Sequence, residues 1–290
     1  FNSSNGLGSV PHREIFLAGH SLVLNNVSTY LAGPDKPNPI VGTEKELLPT
    51  VYAGGYHSNT AVGTNASLTV TNENNKTMFQ DIYLGHEASA GQRTAYTGSA
   101  KLELDADAKI RGTVSAENTS LDFLGDQKGY DEITLSEIKG NDKTVMTVKN
   151  CAVLGVVTTG VKDILLDAGG RLQPKDGTAQ LNNITLKNGG CLDLTQVLDA
   201  LVKGSFTGSD DNAARGKLVL NKDGYVQIDG QISGVTQFQT VSHVIPGTIL
   251  SGHAYIASEN GTAGSFVLSD TAIKNNYSLI RKNGTWTPYI

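Results

Sequence analysis

One strand-turn-strand phrase returns along the chain and sets what it can fold into. In residues 216–230, GKLVLNKDGYVQIDG, apolar residues come in two short bursts, Leu218 with Leu220 and Val226 with Ile228, around the turn-type cluster Asn221 to Gly224. Each burst has a period of two, which puts its apolar side chains on one face of a short strand. The sixth residue after an apolar anchor is again apolar in LELDADAKI (Leu104, Ile110), VKNCAVL (Val148, Leu154), LLDAGGRL (Leu166, Leu172), TLKNGGCL (Leu186, Leu192) and LVLNKDGYV (Leu220, Val226). Anchors 148, 166 and 186 lie 18 and 20 residues apart, too close for a helical-hairpin repeat. A coil of roughly 20 residues cannot bury its own apolar face, so coils must stack about 4.8 Å apart and share a core. The spacing predicts a β-solenoid. In it, Leu104, Val148, Leu166, Leu186 and Leu220 form one inward row, and Ile110, Leu154, Leu172, Leu192 and Val226 a second.

A longer figure fills the first hundred residues. IFLAGH (15–20), VYAGGYH (51–57) and IYLGH (82–86) each join a β-branched residue and an aromatic to Gly and then His. SLVL, SLTV and KLEL follow as strand-like alternations. These read as longer coils of the same solenoid, each with a sharp turn at Gly. Their extra length falls in loops, Ala32 to Leu48 and Glu87 to Gly98. One stretch reads as helical: Thr195 could cap TQVLDALVKG, where Val197, Leu198, Leu201 and Val202 share a helical face and Gly204 stops it. The hydrophilic run from Gly204 to Gly216 then reads as an insertion on one coil. After Val235 the figure becomes irregular, with turns at Pro246-Gly247, Asn260-Gly261 and Asn283-Gly284. An open solenoid end exposes core and strand edges, so the expected organisation is a solenoid over 1–235 and a β-rich cap or small domain over 236–290.

With 33 glycines, 18% charged and 6% aromatic residues in 290, composition suits a turn-rich all-β chain. A net charge of -5 without blocks of one sign offers no basic face to nucleic acid or anionic membrane, and no apolar run is long enough to span a bilayer. Abundant Asn, Thr, Ser and Gly point to an extracellular setting, where sequons such as Asn65, Asn118 and Asn183 could be glycosylated. Cys151 and Cys191 fall on coils with one complete coil between them, about 9.6 Å by stacking alone, beyond the roughly 7 Å a disulfide tolerates. Two free, largely buried thiols are expected.

The motif L-x2-G-G-x-L in LLDAGGRLQP and TLKNGGCLDL, followed by GYVQIDGQISGVTQF and SFVLSD, resembles bacterial cell-surface β-helix proteins of the autotransporter-passenger and adhesin kind. VYAGGY and IYLGH are similar to the Tyr-Gly-Gly repeats of large surface proteins of gut bacteria. The resemblance spans most of residues 15–290. It implies a right-handed parallel β-helix, surface display or secretion, an adhesive or scaffold role within a larger parent polypeptide, and no catalytic residues to transfer.

Enzymes on such a scaffold need clustered carboxylates on one exposed face. The candidates are Asp105 with Asp107 and Asp210 with Asp211; each pair sits in a turn or polar loop, where Asp is expected for turn reasons alone. His20, His57 and His86 could line one edge and hold a transition metal if their copies aligned, but their unequal spacing favours backbone hydrogen bonding at a strand-to-turn junction. Trp286, Tyr277 and Tyr289 could stack on sugar, though filling a small terminal core is the favoured role. No G-x-S-x-G elbow and no phosphate loop occurs. The expectation is a non-enzymatic surface structural or adhesive segment that binds host or cell-surface glycan or protein, with no metal or cofactor and no defined binding residues. A secreted β-helix polysaccharide lyase or glycoside hydrolase is the alternative.

Overall fold

The computed structural model describes residues 14–25, 48–54, 63–71, 78–85, 96–105, 109–126, 131–175, 179–221, 224–241, 255–262, 264–268, 278–282 and 284–289. It is an all-β parallel β-helix built from three sheets. Sheet I stacks β2 (Ser21–Asn25), β4 (Ala66–Thr71), β7 (Ala100–Asp105), β10 (Thr119–Leu124), β12 (Val145–Lys149), β14 (Asp163–Leu166), β17 (Asn183–Leu186), β20 (Phe206–Thr207) and β23 (Ile232–Ser233). Sheet II runs from β1 (Glu14–Phe16), β3 (Thr50–Tyr52), β6 (Ile82–Tyr83) and β9 (Thr113–Ser115) into the long strands β11 (Asp131–Lys139) and β13 (Ala152–Thr159). It continues through β15 (Arg171–Pro174), β18 (Cys191–Leu194), β21 (Lys217–Asn221), β24 (Thr236–Val241) and β26 (Phe266–Leu268), with β5 (Met78–Phe79) and β8 (Lys109–Ile110) joined to it beside β11. Sheet III holds β16 (Ala179–Leu181), β19 (Asp199–Val202), β22 (Tyr225–Ile228), β25 (Tyr255–Ala257), β28 (Thr285–Tyr289) and β27 (Ser278–Lys282).

All ten residues of the two expected rows are buried, but not in two rows. Leu104, Phe123, Val148, Leu166 and Leu186 follow one another in register down sheet I. Ile133, Leu154, Leu172, Leu192, Leu218 and Phe238 do so down sheet II. Leu220 belongs instead to sheet II, opposite Leu194, and Val226 to sheet III, between Ala200 and Ile256. Ile110 is paired with Phe79, outside the column of Leu154. The phrase encodes a strand, a corner and a strand; the last copy turns a different corner of the same prism.

The L-x2-G-G-x-L motif is the corner between sheets I and II. Ala168 and Gly169 have φ of 46° and 77°, Asn188 and Gly189 of 47° and 78°, so each corner places two successive residues in the left-handed region. Gly170 N donates to Asp167 O at 2.8 Å and Gly190 N to Lys187 O at 2.8 Å, closing the turns. Cys151 N then donates to Ala168 O and Gly169 N to Asn188 O, at 3.0 and 3.1 Å, so the turns stack like the strands. A Cβ on Gly170 or Gly190 would strike Val148 O or Leu166 O of the preceding coil, which is why the second glycine is also required.

The stretch TQVLDALVKG is no helix. Asp199–Val202 is β19, whose Ala200 and Val202 stack in register on Ala179 and Leu181 while Leu198 stays 59% exposed. Ladder pairing to both neighbouring coils outweighs the helical spacing of its apolar residues. The run 204–216 is likewise part of a coil: it contains β20 and a 3₁₀ turn at Asn212–Ala214, and Asn188 N and Gly189 N donate to Ala214 O and Arg215 O, so it continues the column of corners. Parallel pairing extends beyond Val235 through β24, β25 and β26, and the direction first reverses at β28, which is antiparallel to β25 and β27.

Candidate functional site

The sequence candidates lie apart from one another. Asp105, half-buried, ends β7, and Asp210 and Asp211 are exposed beyond β20. Five rungs of sheet I separate the two places, about 24 Å. Asp211 is already used: its Oδ1 accepts from Ala213 N at 2.9 Å and caps the 3₁₀ turn. Asp107, His57, His86, Tyr277 and the side chain of Tyr289 lie outside the described residues. His20 is exposed and closes a tight turn, its N donating to Leu17 O at 2.9 Å. No group of three or more His, Cys, Asp or Glu that could hold a metal occurs among the described residues. Trp286 is fully buried against Phe266 and fills the core of the last coils.

Two features absent from the sequence reading stand out. One is Asp193, on the outer side of sheet II yet only 4% exposed. It accepts from Arg171 Nη1 at 3.2 Å, Gln173 Nε2 at 2.9 Å, Thr195 N at 3.1 Å and Thr195 Oγ1 at 2.7 Å. So complete a shell makes this carboxylate an anchor between coils, since a buried charge persists only when paired and hydrogen-bonded. Beside it, burial pushes the Cys191 thiol up to about 12, with Arg171 pulling the other way. Cys191 is thus a protonated packing residue rather than a nucleophile. Cys151, also a free thiol, is half-buried in the corner above Gly169.

The other feature is a groove of about 550 Å³ on the outside of sheet II, lined by Met78, Lys109, Ile110, Arg111, Leu135, Ser136, Val157 and Lys175. A second hollow of about 380 Å³, around Val157, Thr159, Pro174, Lys175 and Gln180, continues it. Strand length explains the concavity. The coil before breaks between β8 and β9 and the coil after between β15 and β16, whereas β11 and β13 run through the same bend unbroken. They do so by a register shift between Thr134 and Glu137. Ile110 and Leu135, 1% and 4% exposed, form the apolar floor, and Lys109, Arg111 and Lys175 are exposed at the rim. Near it, Asp81 accepts from Thr113 N at 2.8 Å and Glu137 pairs with Lys139 at 3.4 Å.

No protein-family model matches the chain, and neither a curated protein nor a solved structure matches it.

Proposed function

We propose that this chain is a non-enzymatic structural and adhesive segment of a bacterial cell-surface or secreted protein, binding a host or cell-surface glycan or protein. The carrying observation is the unbroken parallel ladder of sheet I from β2 to β23, which fixes an outer column whose chemistry changes from rung to rung beyond the paired Ser21 and Ser67. Ser67, Lys101, Ser120, Val145, Asp163 and Asn183 succeed one another in register along it. A stiff scaffold with a varied surface suits recognition of a large partner. The alternative, a polysaccharide lyase or hydrolase acting through Asp105 with Asp107 or Asp210 with Asp211, has less support, since Asp211 is already committed to capping the 3₁₀ turn.

The test is twofold. The purified chain is expected to adhere to cells or to a glycan array while leaving plant, animal and bacterial polysaccharides uncleaved. Turnover abolished by Asp105→Ala or Asp210→Ala would overturn the reading, as would failure to adhere to any surface.

A further inference from the structure

We draw no further inference here: the strongest candidate, the column of Phe16, Tyr52 and Tyr83 on the outer side of sheet II, holds its rings face to face with centroids 5.2 Å apart, and nothing in the structure shows what covers it.

Discussion

Trp286 meets Phe266 edge to face, ring centroids 5.1 Å apart and planes at 76°. The contact joins the antiparallel strand β28 to the last rung of sheet II, and Phe266 in turn lies 5.8 Å from Phe206 of sheet I. The core is thus closed by three rings drawn from three sheets. Trp286→Ala should cost about 3–5 kcal/mol. The loss should be regional, because each coil touches only its neighbours. Hydrogen exchange should rise in β25, β26 and β28 while β12 to β15 keep their protection; uniform loss of protection would contradict this.

Leu186 is fully buried in the sheet I row below Leu166. Leu186→Asp would bury a carboxylate that nothing in the row can pair, at several kcal/mol. Burial raises the folded pKa of the introduced group. Its penalty should therefore be full at pH 7 and shrink as pH falls toward 4, where the unfolded chain also holds the proton. Melting at the two pH values measures the difference, and a variant that melts like the parent at pH 7 would misplace the row.

Ala168 occupies the left-handed position that Asn150 and Asn188 fill in the adjoining corners, with φ of 46°, 57° and 47° in turn. Alanine pays a steric cost there that asparagine largely avoids. Ala168→Asn should raise the melting midpoint by roughly 2 °C. A drop would mean that the half-buried corner has no room for the amide.

Cys191 carries a thiol raised to about 12 by burial, from an ordinary value near 9.0. The neutral thiol is favoured by folding, so its stabilising contribution is whole below about pH 9 and is lost as pH climbs from there toward 12. In the native chain at pH 8.5, iodoacetamide should modify Cys151 and spare Cys191; in denaturant both should react. Equal native rates would show that Cys191 is reached by solvent.

The core was legible where the repeat is minimal. Val148, Leu166 and Leu186, with Leu154, Leu172 and Leu192, fall into register because two-glycine or equivalent corners of equal length separate their strands. Leu220 and Val226 carry the same phrase around another corner, a difference invisible in a pattern that records only strand, turn and strand. The helical spacing in TQVLDALVKG was real but local; what makes it a strand is the edge offered by β16, far away in the phrase-by-phrase reading. The groove depends on two strands failing to break, DEITLSEIK, which has no Gly, Pro or Asn, and AVLGVVTT, which runs straight through Gly155. The missing break has meaning only once neighbouring coils are known to turn at the same height. Asp193 escaped notice for a related reason, since its partners Arg171 and Gln173 are adjacent only through stacking.

The reversal at β28 has a consequence for growth. A parallel solenoid is a template: each rung presents the hydrogen-bonding edge on which another copy of the same rung could dock, and chains of this kind are exposed to end-to-end polymerisation. On sheet III, β25 is covered by a strand running the opposite way, itself paired to β27. β27 reverses again and so runs with the coils, but it stands two strands beyond β25. Among the described residues sheet I ends at β23, sheet II at β26 and sheet III at β27, so the three edges finish at different heights, and an incoming coil whose three strands share one height cannot pair with all of them at once; the hairpin works as a chain terminator written in strand height instead of charge.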